Sequence, residues 1–157
     1  MRIGHGIDVH RFSADPTRQL WLGLVLIDNA AGLEGHSDAD VVTHALCDAL
    51  LGGANLGDLG RHFPDDDPEI AGVSSRRLLE ATLDLVRANG FVVVSADVTV
   101  IAERPKLAGH MESMSAALSS IVGTVVSLKA TTVEGLGALG RSEGIAATAV
   151  ALLEEIA

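Results

Sequence analysis

Apolar positions along the chain fall into runs of two kinds, short dense ones and longer ones spaced at three and four. Residues 3–12 carry Ile3, Ile7 and Val9 among small and polar neighbours, the pattern of a strand with one crowded face. Residues 19–27 (QLWLGLVLI) form a second apolar run of strand length, and Asp15-Pro16 between the two marks a turn. Ser37-Asp38-Ala39-Asp40 reads as a capping box with Asp in place of Glu or Gln, so a helix is expected from Ser37 to about Ala54. It places Val42, Leu46, Ala49, Leu50 and Gly53 at helical spacing, with Asp40, His44 and Asp48 recurring every four residues on another face. Residues 55–68, rich in Gly, Pro and Asp, read as a long loop, and loops of that length are often functional. Residues 74–89 set Leu78, Leu79, Leu83 and Val86 against Arg76, Arg77, Glu80 and Arg87, which predicts an amphipathic helix stopped by Asn89-Gly90. The β-branched stretch 91–102 predicts a strand ended by Pro105, residues 111–122 a helix, and 125–132 another strand. Residues 144–156 are ambiguous: propensity favours helix, while alternation through Ile145, Ala147, Ala149 and Ala151 permits a strand. Helices alternating with strands imply an α/β or α+β sandwich.

The 157 residues fit a single domain, taken as 1–157, that buries a sufficient core without staples. Eleven basic against 21 acidic residues leave a net charge of −10, which argues against a nucleic-acid or polybasic membrane partner. An acidic chain that handles a phosphorylated ligand must therefore hold it with metal ions, backbone amides or a few placed cations. A single cysteine, Cys47, excludes an internal disulfide. The N-terminal residues carry no apolar signal core, and no stretch reaches the ~18 apolar residues of a membrane span, so a soluble cytoplasmic protein is expected.

Candidate chemistry starts at Asp8-x-His10. Residues two apart on a strand share a face, so the two side chains converge, and both are good Zn²⁺ ligands. Alone, such a pair is more often an ordinary hydrogen-bonded pair. His44 by itself reads equally as a polar-face histidine bonded to a carboxylate. Together Asp8, His10 and His44 make three ligands with an open fourth position, the plan of a catalytic rather than a structural site. Asp40 or Asp48 could orient one of the ligands, Cys47 reads as a buried inert thiol, and His62 as a surface residue.

Three long motifs carry a resemblance to a known family. They are Ile3-Gly4-His5-Gly6-Ile7-Asp8-Val9-His10-x-Phe12, Gly35-His36-Ser37-Asp38-x-Asp40-Val41-x-x-His44-Ala45-Leu46-x-Asp48-Ala49-Leu50-Leu51-Gly52, and Leu56-Gly57-Asp58-Leu59-Gly60-x-x-Phe63-Pro64-Asp65. With Arg104-Pro105-Lys106, Lys129-Ala130-Thr131-Thr132-Val133-Glu134 and Gly140-Arg141-Ser142-Glu143-Gly144-Ile145, they resemble the 2-C-methyl-D-erythritol 2,4-cyclodiphosphate synthases over essentially the whole chain.

The resemblance implies an α+β fold, a mixed four-stranded sheet with helices packed on one face, assembled as a homotrimer with active sites between subunits. It also implies that residues 144–156 are a strand. It implies a reaction of the non-mevalonate isoprenoid route, in which 4-diphosphocytidyl-2-C-methyl-D-erythritol 2-phosphate cyclises and CMP departs. Asp8, His10 and His44 would then hold Zn²⁺, and Glu134 a Mg²⁺ or Mn²⁺. His36 and Thr132 resemble the family's catalytic groups, which contact the phosphates and stabilise the transition state, with Ser37 beside them and Thr131, Val133 and Glu134 lining the diphosphate. Asp58, Leu59, Gly60, Phe63, Pro64, Asp65 and Asp67 resemble the loop around the methylerythritol, with Asp66 left as a solvated turn. Ala102, Pro105, Lys106, Leu107 and Ala108 resemble the cytidine pocket. Arg141 and Glu143 read equally as substrate contacts or as a structural ion pair near a subunit contact. The sequence departs from the family pattern at Val133, where Thr is common, at Ala39 and Ser142, where Gly is usual, and in a short 107–128 segment. Two rival readings share part of the pattern: a zinc phosphoester hydrolase, and a trimeric binding module without activity.

Overall fold

The computed structural model describes residues 1–64 and 72–156. Four strands form one mixed sheet in the order β1 (Arg2–Arg11), β6 (Gly144–Glu155), β4 (Phe91–Ile101), β5 (Val126–Thr131). β6 runs antiparallel to both β1 and β4, and β4 and β5 are parallel. The last segment is a strand, as the family resemblance implies and propensity alone does not: Ile145, Ala147, Ala149, Ala151 and Leu153 alternate into the core. Long-range pairing on both edges overrides the helix preference of its alanines.

The expected single strand over 19–27 is a hairpin, β2 (Leu20–Leu22) and β3 (Val25–Ile27). Gly23 and Leu24 between them both have left-handed backbones (φ 55° and 66°), the geometry of a tight two-residue turn. Ala39 and Ser142, which stand where the family pattern has Gly, are left-handed too (φ 57° and 58°).

Helix α1 (Val41–Gly53) starts later than the Ser37 capping box predicts. Asp40 is the N-cap, its carboxylate accepting from the amides of Val42 and Thr43. Ser37 instead closes a local turn by accepting from the Ala39 amide. Nor is α1 two-faced. Eleven of its thirteen residues are buried, because it lies between the sheet and helix α3 (Ser75–Ala88). A four-residue helix, α2 (Leu59–His62), interrupts the expected loop after α1. Helix α4 (Met111–Val122) packs on β5, and a last short helix, α5 (Gly137–Gly140), precedes β6.

β1 shows why the layers close. Its crowded face is not the one with Ile3, Ile7 and Val9, which are 73%, 61% and 58% exposed. It is the face of Gly4 and Gly6, on which α1 rests. A Cβ on Gly4 would lie 1.8 Å from the Ala49 carbonyl oxygen, and one on Gly6 2.1 Å from that of Ala45. Only glycine permits that approach. Gly6→Ala is therefore expected to destabilise the fold by at least about 3 kcal/mol in urea unfolding. Gly52→Ala, at an exposed position of α1 where a Cβ meets only the His5 oxygen at 3.8 Å, should instead gain about 0.5–1 kcal/mol.

Candidate metal centre

The contact between α1 and β1 brings the predicted ligands together. Asp8 and His10 follow Gly4 and Gly6 on the helix-facing side of β1, and His44 comes from the first turn of α1. The Asp8 Oδ2 lies 2.9 Å from His10 Nε2 and 3.2 Å from His44 Nδ1, and the three ligand atoms all fall within 4.8 Å of one another. An ion with metal–ligand bonds of about 2.0–2.1 Å sets tetrahedral ligands roughly 3.3 Å apart, so the cluster fits one.

The far ring nitrogens decide the same question independently. His10 Nδ1 donates to the Glu34 carbonyl at 2.5 Å, which leaves Nε2 its lone pair. Around His44, the Ser75 hydroxyl donates to the Asp38 carboxylate, which can only accept. Toward His44 Nε2, 2.9 Å away, Ser75 Oγ must therefore accept. His44 then carries its proton on Nε2 and presents a lone pair at Nδ1. Both imidazoles are fixed in the tautomer a metal requires.

Burial pushes the Asp8 carboxyl upward, but when a second ring proton rather than an ion stands between Asp8 and the two imidazoles, the hydrogen bonds and charges of His10 and His44 outweigh burial and hold it well below the usual carboxylate range. Burial would lower His10, yet the hydrogen bond and charge of Asp8, helped by the Glu34 carbonyl, raise it. Asp48 is raised, first by burial and then by the nearby Asp58 and Asp8 carboxylates, against the Leu59 amide that it accepts at 2.7 Å.

The three ligands open onto a cleft of about 280 Å³ lined also by Gly35, His36, Ser37, Asp48, Leu59, Gly60, Phe63 and Leu78. His36, Ser37, Leu59, Gly60 and Phe63 thus sit beside the cluster, as the resemblance implies. Arg18 holds the loop that carries His36 and Ser37, donating to the carbonyls of Leu33, Gly35 (2.8 Å) and Ser37 (2.5 Å). Asp58 caps α2, accepting the Arg61 amide at 2.9 Å, and Pro64 is exposed. Asp65, Asp66 and Asp67 lie outside the described residues.

Neither Asp40 nor Asp48 orients a ligand; their carboxylates bond other groups, that of Asp48 the Leu59 amide. Asp40 is fully buried and accepts the amides of Gly23, Leu24, Val42 and Thr43 and the Thr43 hydroxyl. The groups that orient the ligands are Glu34, Ser75 and Asp38. Ser75 lies 31 residues beyond His44 and Glu34 acts through its backbone, so neither has a local sequence signal. Cys47 is fully buried and its thiol is pushed up to about 12 by that burial. His62 is half-buried rather than on the surface, its Nε2 2.8 Å from the Leu56 carbonyl.

The other predicted residues gather elsewhere. Pro105 and Lys106 line a separate cleft of about 790 Å³ with Phe12, Glu103, Arg104 and Ser142, among others, and the two clefts share no lining residue. The Ala102 and Leu107 side chains belong to the hydrophobic core, and Ala108 is exposed. Thr132 donates to Glu134 Oε1 at 2.6 Å, with Thr131 exposed and Val133 half-buried beside them. Arg141 and Glu143 form an ion pair at 2.6 Å.

The fold and this cluster define an α+β protein with a three-ligand candidate metal site open on one side. Residues 1–154 match the YgbB family, and the chain belongs to it. It is 52% identical over 157 residues to the 2-C-methyl-D-erythritol 2,4-cyclodiphosphate synthase of Thioalkalivibrio sulfidiphilus, covering 98% of this chain and 97% of that one. With the synthase of Porphyromonas gingivalis it shares 51% identity over 155 residues, covering 97% and 94%. Among solved structures it resembles the bifunctional IspDF of Campylobacter jejuni (TM-score 0.93, 38% identity), covering 99% of this chain and 42% of that longer one. A 2C-methyl-D-erythritol-2,4-cyclodiphosphate synthase with CDP bound matches at TM-score 0.88 and 37% identity over 98% of this chain and 100% of that one.

Two predictions come from this geometry. Ser75→Ala, which leaves His44 Nε2 only the longer 3.3 Å contact with the Ser37 hydroxyl, should weaken metal binding by about 10–100-fold in a chelator competition, with the fold retained. Cys47 should stay unreactive to a thiol reagent in the native protein and react fully on denaturation.

Proposed function

We propose that the chain is a 2-C-methyl-D-erythritol 2,4-cyclodiphosphate synthase of isoprenoid biosynthesis, a CMP-forming phosphorus–oxygen lyase acting as a single domain over residues 1–157. The observation that carries this reading is the tautomer-fixed Asp8, His10 and His44 cluster. It opens beside His36, Ser37, Leu59, Gly60 and Phe63 in a chain about half identical to relatives of that name. In the reaction an oxygen of the substrate's 2-phosphate attacks the β-phosphorus, the bond from that phosphorus to the CMP oxygen breaks, and a cyclic diphosphate closes. Two anions must meet while charge grows on the departing oxygen, so catalysis is positioning and charge neutralisation.

Zinc on Asp8, His10 and His44 and Mg²⁺ or Mn²⁺ on Glu134 supply positive charge that an acidic chain lacks. His36 and Thr132 contact the phosphates. Thr131, Val133 and Glu134 line the diphosphate, and Asp58, Leu59, Gly60, Phe63, Pro64, Asp65 and Asp67 surround the methylerythritol. The 102–108 segment receives the cytidine, with Lys106 and Arg141 as nearby cations. Because the Ala102 amide already donates to the Thr131 carbonyl, cytosine recognition falls to the other backbone groups of that segment. A substrate with several phosphate charges does not cross a bilayer unaided, which supports action in the cytoplasm. Among the described residues no helix is long and apolar enough to cross a membrane.

The protein works as a homotrimer. Ile3, Ile7 and Val9 of β1 and Val150 of β6 expose apolar surface on the sheet face opposite α1, and such a face calls for a partner. The separation of the metal cleft from the Lys106 cleft supports a site completed by a neighbouring chain.

Incubation with the cytidylated substrate and Mg²⁺ should give CMP and a cyclic diphosphate by phosphorus NMR; a linear phosphate would identify a hydrolase instead. His44→Ala should lose zinc and activity and keep the fold. His44→Ala and Lys106→Glu, each inactive alone, should recover activity when reassembled together. No recovery in mixed trimers verified by native mass spectrometry would refute the shared site.

A further inference from the structure

The turn after β5 holds the Glu134 carboxylate in a backbone conformation that nothing in its own sequence favours. Glu134 is left-handed (φ 55°), and Gly135 follows it at φ 76°. The amides of Val133 and Gly135 converge on one oxygen, Glu103 Oε1, at 3.1 Å each. Two amides two residues apart aimed at one anion form a nest, and here the chain's own carboxylate fills it. On the other side, α5 presses so close that a Cβ on Gly140 would lie 2.1 Å from the Gly135 carbonyl carbon. The turn is thus held from both directions, and the Thr132 hydroxyl bonds the Glu134 carboxylate at 2.6 Å. Glu103 itself belongs to the segment after β4, adjoining Arg104-Pro105-Lys106, and lines their cleft.

We propose that Glu103 is a positioning residue for Glu134. By binding both amides it fixes the left-handed turn and so aims the Glu134 carboxylate. It also ties the segment that receives the cytidine to the carboxylate that receives the divalent ion, so that both ends of the nucleotide diphosphate meet a preset spacing. With its own oxygen in the nest, Glu103 also denies those amides to a phosphate oxygen that would dock out of register. The proposal rests on the reading of Glu134 as the Mg²⁺ or Mn²⁺ ligand.

The test is Mn²⁺ binding to the zinc-loaded, full-length assembly in the presence of CDP, read from the free-Mn²⁺ electron paramagnetic resonance signal. E103Q keeps an oxygen in place to accept both amides and loses the charge; E103D keeps the charge and withdraws the oxygen by one methylene. E103Q should bind Mn²⁺ within about threefold of the parent and E103D about tenfold more weakly, the scale of one hydrogen bond to a charged group. Zinc content should be unchanged in both. E134Q should lose the Mn²⁺ site with Glu103 intact. Parent-like binding by E103D, with the site lost in E134Q, overturns the positioning role and leaves the ligand assignment standing. Parent-like binding by E134Q removes the ligand assignment and the proposal with it. Weakening in E103Q as large as that in E103D would show that charge is needed as much as reach and would overturn the proposal, as would loss of zinc or of cooperative unfolding in E103D.

Discussion

The metal cluster depends on how closely α1 can approach β1. Four residues of helix rise about 6 Å, and two residues of strand span about 6.8 Å, so a helix laid along a strand meets it at a nearly matched repeat. The matched positions here are Ala49 over Gly4 and Ala45 over Gly6. Continuing the repeat by one step sets Asp8 against the first turn of α1, where His44 projects. Side chains at positions 4 and 6 would lift the helix, and a shift of even 1 Å would spoil a ligand spacing of 2.9–3.2 Å. The two glycines set the site although neither touches a ligand.

The approach fixes a distance but not an orientation, and a second layer of polar contacts supplies that. Asp40 caps α1 and grips the Gly23-Leu24 turn with the same carboxylate, so the hairpin and the start of the helix move together. Arg18 draws three carbonyls of the 33–37 loop inward, which presents the Glu34 carbonyl to His10 and places Ser37 beside His44. Asp38 then reaches α3 through Ser75 and fixes His44 from behind. These residues carry no chemistry of their own. They decide which ring nitrogen holds a proton, and that decides whether the cluster can bind an ion at all.

What the sequence made legible follows from which signals are local. Helix α4 and the core of α3 came directly from spacing, because their apolar stripes are continuous. The Asp-x-His pair was legible because a strand's period of two is unaffected by context. The start of α1 was misplaced because Ser37, Asp38 and Asp40 are all good caps, and only the burial of Asp40 against the hairpin selects among them. The 19–27 run read as one strand because Leu24 gives no turn signal; its left-handed backbone is held by Asp40, sixteen residues away. Ser75 and Glu103 give no signal for the same reason, since each bonds a partner about 30 residues away that no window includes.

The same distinction bears on the exposed face of the sheet. Alternation along β1 suggests that the isoleucines point inward, since apolar residues usually do. The glycines overrule that, because the tighter contact is available only on their side. The apolar residues then turn outward, where a lone chain gains nothing from them. A sequence that puts glycine toward its helices and isoleucine away from them leaves an apolar strand face on which a second apolar surface can rest. The two clefts, each with part of the expected substrate contacts, lie on a chain whose sheet carries that uncovered face. Assembly through the sheet would cover the isoleucines and complete the site in one step. On the proposed reading, the compact glycine face and the division of the site between two clefts are consequences of one packing choice.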